Sequence, residues 1–328
     1  MACNSPVLMV RRDWVLESWE FSSGKVDRTV RLDHMRAPAS RMAPLALVAF
    51  TVDGTILAAC EPLCSGFATW DVYSGQRILE FWGHKLPVTA LHFSPDSQQV
   101  ASGDEGGCLQ LWNAHTGESL MILTGHLKVV TSLAWVQAPF SSSSLLASAS
   151  LDATVRLWDP ELGGSIPSLD VAEATSTSQA AVESWQLSPA ATTCLDVDTT
   201  ATRLAIGTKG GKVAIVKLPH GGTLGLLASY QSPVNQVVFS PCDDLLGTCC
   251  IDENCITLLD AKDKHLTPFR RFTVVSLQSF TWLSSISIGS LQSFPSSTAR
   301  LWSIETGKEE GKREVHDTEL AALRAYSS

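Results

Sequence analysis

The chain has little charge, few aromatic rings and no long apolar run. Charged residues make up 17% of its 328 residues and aromatic residues 7%, with only 3 tyrosines. The longest unbroken apolar stretch, Leu45 to Phe50, falls far short of the roughly 20 residues a membrane-spanning helix needs. The N-terminus, MACNSPVLMV, lacks a basic segment followed by a long apolar one, so no signal peptide is expected. The formal net charge is −9 and no basic stripe is present, which argues against nucleic acid as the main ligand. Paired metal ligands are scarce. Among the 9 cysteines, only Cys60/Cys64 and the Cys249–Cys255 group approach metal spacing, and no histidine stands at a recognised offset from either. No metal and no cofactor are therefore expected. Buried free thiols are expected instead, in a reducing, intracellular setting, cytoplasmic or nuclear.

What the chain does have is recurrence. Leu145 to Pro160 reads LLASASLDATVRLWDP. Leu145–Ser150 is a short strand of apolar and small residues, Leu151-Asp152-Ala153 a tight polar turn, and Thr154–Trp158 a second strand, β-branched and aromatic. Gly125-His126 opens this unit, and Val130 to Trp135 supplies a strand before the pair. The same register recurs along the chain. Residues closing a first strand are Trp14, Phe50, Phe93, Trp135, Val197, Phe239 and Trp282. Residues in the slot of Trp158 are Asp33, Trp70, Trp112, Trp158, Val216, Leu259 and Trp302. Within a unit the two lie 19 to 23 residues apart. Phe50 to Phe93 is 43 residues, Phe93 to Trp135 is 42, and Phe239 to Trp282 is 43.

A period near 42, with Gly-His at the opening and Trp-Asp at Trp158-Asp159, resembles the WD repeat, the four-stranded blade of β-propellers. The resemblance implies an all-β fold, a seven-position WD-repeat β-propeller with irregular first and last blades. It implies one domain over residues 1–316, with blades at about 1–44, 45–86, 87–128, 129–191, 192–232, 233–272 and 273–316, and a tail at 317–328. It also assigns a structural hydrogen-bond network. The indole N–H meets a hydroxyl on the neighbouring strand, the hydroxyl meets the histidine, and the histidine meets the turn aspartate. In this chain that gives Trp158, Ser148, His126 and Asp152. Blade III supplies Trp112, Ser102 and His84, but Gly106 stands in its turn-aspartate slot, so the full quartet is expected only in blade IV.

Two irregular regions stand out. After Leu32 the pattern fails, with Asp33-His34 where Trp-Asp should stand. Blade IV carries extra residues in Ala138–Ser144 and in Glu161–Ala190, the latter a polar stretch expected as a mobile loop or short helix.

Other chemistry is weighed against these slots. Thr208-Lys209-Gly210-Gly211-Lys212 looks superficially like a phosphate loop but lacks the full spacing and falls on a strand-to-strand turn. His92 and His115 have no serine or cysteine partner legible in the sequence. Members of the family are mostly non-catalytic platforms, so the expected function is a protein-interaction scaffold or adaptor, and no enzyme activity is expected. Two alternatives stay open: an incomplete or alternatively spliced propeller fragment of a larger signalling protein, and an enzyme that uses the propeller channel. The expected partner is a protein, offering a basic or amphipathic peptide. Its expected docking face is formed by the turns between second and third strands and by the segments preceding each first strand: Lys85, Leu86, Asp104, Glu105, Leu127, Lys128, Leu151, Asp252 and Glu253.

Overall fold

The computed structural model describes residues 7–12, 15–20, 25–31, 47–60, 63–137, 144–160, 164–165, 191–218, 223–228, 230–292, 298–314 and 320–326. Within them the chain is all-β. Blade I receives β1 (Val7–Arg12), β2 (Val15–Glu20) and β3 (Lys25–Arg31). Blade II is β4 (Leu47–Phe50), β5 (Ile56–Cys60), β6 (Gly66–Asp71) and β7 (Arg77–Trp82). Blade III is β8 (Val88–Phe93), β9 (Gln99–Asp104), β10 (Leu109–Asn113) and β11 (Ser119–Leu123). Blade IV is β12 (Val130–Gln137), β13 (Ser144–Ser150), β14 (Val155–Asp159) and the short β15 (Gly164–Ser165). Blade V is β16 (Thr192–Val197), β17 (Arg203–Thr208), β18 (Lys212–Lys217) and β19 (Thr223–Ala228). Blade VI is β20 (Gln236–Phe239), β21 (Leu245–Cys250), β22 (Cys255–Asp260) and β23 (Pro268–Thr273). Blade VII is β24 (Leu277–Ser284), β25 (Ser287–Gln292), β26 (Thr298–Ser303) and β27 (Glu309–Glu314), and the last strand is β28 (Leu320–Tyr326).

Every sheet is four-stranded, and every observed pairing is antiparallel. The first strand of each blade lies innermost. These inner strands are neighbours in the order β4, β8, β12, β16, β20, β24, β28 and back to β4, which makes the molecule a seven-bladed ring.

The ring is joined by its two chain ends, and this corrects the expected boundaries. β28 pairs with β1, with Val7 opposite Tyr326 and Val10 opposite Leu323. The segment 317–328, expected as a tail, therefore contains the inner strand of blade I. The strands β1, β2 and β3 are its second, third and fourth. Asp33, assigned to the tryptophan slot, and Trp14 lie outside the described residues. So do residues 138–143 and, of the expected loop, residues 161–163 and 166–190. Blade VII, expected to be imperfect, has all four strands.

Burial follows position in the blade. The middle strands are covered on both faces by neighbouring blades, so β9 and β21 are buried at five of their six positions. The outer strands β11 and β23 each keep a single buried position and leave the rest exposed or half-buried. This is why the middle strands read as continuous runs of apolar and small residues. The core sits between blades. Phe67 and Phe81 of blade II stack at 4.4 Å and meet Trp112 of blade III edge-on at 6.0 and 5.7 Å. Trp158 joins the next layer, between blades III and IV, with Leu111, Leu133 and Trp135.

Candidate functional site

The site begins with the hydrogen bonds that fix the segments around it. In blade IV the Trp158 indole donates to Ser148 Oγ (2.8 Å), Ser148 Oγ lies 2.7 Å from His126 Nε2, and His126 Nδ1 lies 3.0 Å from Asp152 Oδ2. Asp152 also accepts from the Leu127 N–H at 2.9 Å, which pins the segment before β12 against the turn after β13. Burial opposes ionisation of Asp152, but the Thr154 hydroxyl, the N–H groups of Leu127 and Thr154 and the His126 ring together hold its carboxyl at about 2.

Blade III has the same quartet, contrary to expectation. Trp112 donates to Ser102 Oγ (2.8 Å), which lies 2.6 Å from His84 Nε2, while His84 Nδ1 lies 3.0 Å from Asp104 Oδ2. Asp104 stands two residues after Ser102, whereas Asp152 stands four after Ser148. Its other oxygen accepts the N–H groups of Gly106 and Cys108, so a tighter turn brings the carboxylate to the same place. Burial pushes the His84 ring down, against the pull of Asp104. With the ring neutral, Nδ1–H donates to Asp104 and Nε2 accepts from Ser102.

Blade VI fills the slots with other residues, of which sequence reasoning placed Leu259 and missed Tyr230. Tyr230 takes the histidine position and its hydroxyl bonds Thr248 Oγ1. Thr248 donates onward to the Thr257 carbonyl (3.1 Å), so Tyr230 is the donor to Thr248. Leu259 occupies the tryptophan slot. Glu253 accepts the Gln231 N–H (2.7 Å), as Asp152 accepts that of Leu127, and also binds Arg271 at 2.9 Å. A signal was present in the sequence: Tyr230-Gln231-Ser232-Pro233-Val234 aligns with His84-Lys85-Leu86-Pro87-Val88. In blade VII Trp302 donates to Ser290 Oγ at 2.8 Å.

These bonds bring the expected face residues to one side of the ring. The turn after each second strand touches the segment preceding the next blade's first strand. Gly107, at φ +86°, leaves a Cβ only 2.5 Å from the His126 carbonyl oxygen, and Gly211, at φ +78°, only 2.2 Å from that of Tyr230. No side chain fits at either position. Blade II meets blade III in the same way, through Val88 N–H to Cys64 O (2.9 Å). Leu63, at 81% exposure, therefore joins Leu86 and Leu127, at 45% and 84%, on the face shared by blades II to IV. Lys85, Glu105 and Lys128 are exposed beside them, and Leu151 is half-buried.

Two of the nine expected face residues have another role. Asp104 is buried in the blade III quartet and offers nothing to a partner. Glu253 is half-buried and tied to Arg271, Gln231 and Ser232. Asp252 is exposed but sits in blade VI, away from blades II to IV.

The central channel holds a cavity of about 410 Å³ lined by the inner strands. Thr89 donates to the Val130 carbonyl (2.6 Å), Thr131 to that of Thr192 (3.1 Å) and Thr193 to that of Val234, so each threonine ties one inner strand to the next. Gln236 continues the series, exchanging two bonds with the Phe280 backbone at 3.0 and 3.2 Å. The titratable side chains on this wall serve the backbone: His92 Nδ1 bonds Phe93 O at 2.9 Å, and Asp196 accepts the Phe239 N–H at 2.7 Å. Burial pushes the Cys194 thiol up to about 12. Elsewhere, His84, Asp104 and Cys108 place three possible metal-ligand atoms within 4.8 Å of one another, but both ring nitrogens of His84 are engaged in the quartet. Among the described residues no helix is long and apolar enough to cross a membrane.

Residues 75–113 and 117–159 match the family described as "WD domain, G-beta repeat". The chain is 26% identical over 187 residues to a periodic tryptophan protein 2 homolog of Dictyostelium discoideum, covering 57% of this chain and 18% of that protein. It is 30% identical over 168 residues to a WD repeat-containing protein 26 homolog of Drosophila melanogaster, covering 50% of this chain and 25% of that protein. Over a shorter stretch of 80 residues it is 34% identical to nuclear distribution protein nudF 2 of Aspergillus clavatus, covering 24% of this chain and 18% of that protein. The chain thus spans a quarter or less of each of these relatives.

Proposed function

The chain is a WD-repeat protein, and from that premise we propose that it is a non-catalytic scaffold that docks a partner protein on the face shared by blades II, III and IV. The observation that carries this reading is the apolar ridge of Leu63, Leu86 and Leu127, exposed on three consecutive blades and held by bonded turns. Large apolar side chains on rigid loops bury area against a partner without a large ordering cost.

The charges around the ridge narrow the ligand. With Asp104 buried, the exposed charges beside it are Lys85, Lys128 and Glu105. Two cations and one anion suit an amphipathic segment better than a strongly basic one. Its apolar side chains would cover the leucines, with acidic groups meeting the lysines. The described cysteines are free thiols, which supports an intracellular, reducing location.

The test is selection of a displayed peptide library on the full chain, followed by binding to Leu86→Asp/Leu127→Asp and to Val52→Asp. Val52 is 69% exposed in the turn after β4, at the opposite end of the inner strands. Selected amphipathic peptides should lose at least about tenfold in affinity on the leucine double variant, roughly 1.4 kcal/mol, and bind Val52→Asp normally. Equal loss on both variants, or none on the first, would place docking elsewhere.

A further inference from the structure

The hairpin of β21 and β22 is closed by two opposed thiols. Cys250 ends β21, Cys255 begins β22, and the two are partners in the ladder. Directly opposed residues of an antiparallel pair have Cα atoms about 4.5–5.5 Å apart, within the span of a disulfide. Both cysteines are buried and free.

The two thiols differ in surroundings. Cys255 Sγ lies 4.0 Å from Glu253 Oε2, and that carboxylate is held at 2.9 Å by Arg271, whose side chain is 55% exposed. Cys255 thus lies against the partly exposed Glu253–Arg271 pair. A hydrogen bond from Cys250, together with the Arg271 guanidinium, favours its thiolate, and the same shared hydrogen raises Cys250. Cys249 points to the other face of the sheet, and burial pushes its thiol up to about 12.

We propose that Cys250 and Cys255 form a peroxide-driven disulfide switch in blade VI, with Cys255 as the attacking sulfur and Cys250 as the resolving one. The Cys255 thiolate attacks one oxygen of hydrogen peroxide. The O–O bond breaks, hydroxide leaves and Cys255 becomes a sulfenic acid. The Cys250 thiol then attacks that sulfur, the S–O bond breaks and water leaves, with the Cys250 proton carried off in it. The hydroxide takes a proton from solvent, so one peroxide becomes two waters as the two thiols lose two electrons. The bond closes the ends of the turn 251–254 and removes the Cys255 sulfur from Arg271. Glu253 also holds the N–H groups of Gln231 and Ser232, so the change reaches the segment before β20. This site is independent of the docking ridge on blades II to IV.

The test treats the full, reduced chain with hydrogen peroxide, blocks free thiols by alkylation and maps the peptides without reduction. The expected product has seven alkylated thiols out of the 9 cysteines and a Cys250–Cys255 cross-link that a phosphine reductant reverses. Arg271→Gln should slow its formation about tenfold while leaving the final link the same, because less Cys255 is present as thiolate. Cys250→Ser should trap a dimedone-reactive sulfenic acid at Cys255. Oxidation that begins at the exposed Cys242, or a first link joining any other pair, would overturn the proposal, and so would an unchanged rate in Arg271→Gln.

Discussion

Blades IV and VI hold the same segments in place with different residues. In blade IV an indole, a hydroxyl, an imidazole and a carboxylate are joined in one line from core to turn. In blade VI a phenol and a threonine make a shorter line, a leucine replaces the indole, and a glutamate takes over the turn. A buried tryptophan brings an N–H that must be met, at a cost of about 1–3 kcal/mol if it is not. A leucine brings no such demand, so the chain of partners can be cut back. In blades III, IV and VI a satisfied bridge runs from the second strand to the segment before the first, and it is shorter in blade VI, where Leu259 fills the tryptophan slot.

The largest expected effect separates blades IV and VII. Trp158 is almost fully buried, and Trp158→Ala should cost roughly 3–5 kcal/mol in a denaturant titration. It also strands Ser148 and His126. Trp302 is only partly buried and its indole bonds Ser290, so Trp302→Ala should cost clearly less. Equal losses would mean that burial and the quartet do not set the difference.

A smaller effect separates blades IV and VI by acid. The folded pKa of Asp152 is about 2, below its unfolded value of 3.8, so the unfolded chain binds the proton first as pH falls. Its contribution, about 2 kcal/mol, is complete above pH 4 and is lost as pH falls through 2. Asp152→Asn should therefore destabilise at pH 6 and approach wild type near pH 2, read from urea midpoints where both still fold. His84 works in a higher window. Its lowered pKa contributes stability that is complete above about 6.5 and declines as pH falls further. Tyr230 is pushed up to about 12 by burial, so its bond to Thr248 stays indifferent to acid. The smallest effect is Tyr230→Phe, expected at about 1 kcal/mol and independent of pH between 4 and 8, because Thr248 keeps its bond to Thr257.

The same comparison shows what the sequence could disclose. Blade IV was legible because its four groups stand at the recognised offsets. Asp104 was not assigned to the quartet because a tighter turn moves the carboxylate two positions earlier, and counting positions does not register turn geometry. Tyr230 was missed because it is a different chemical group in the same place. The joining of the ring was illegible for another reason. Periodicity reveals strands, but not that Val7–Arg12 pairs with Leu320–Tyr326 at the other end of the chain. The proposed docking ridge was half legible: Leu86 and Leu127 stand in repeating positions, whereas Leu63 enters only through the turn that meets Val88.

The most direct test of the docking face is amide hydrogen exchange of the full chain with and without a selected amphipathic peptide. The segments 63–66, 84–88, 105–108 and 126–130 should gain protection together, with blade VI and the turns on the opposite face unchanged. Protection confined to the opposite-face turns at 52–55 and 95–98, or to the outer strands β7 and β11, would contradict it.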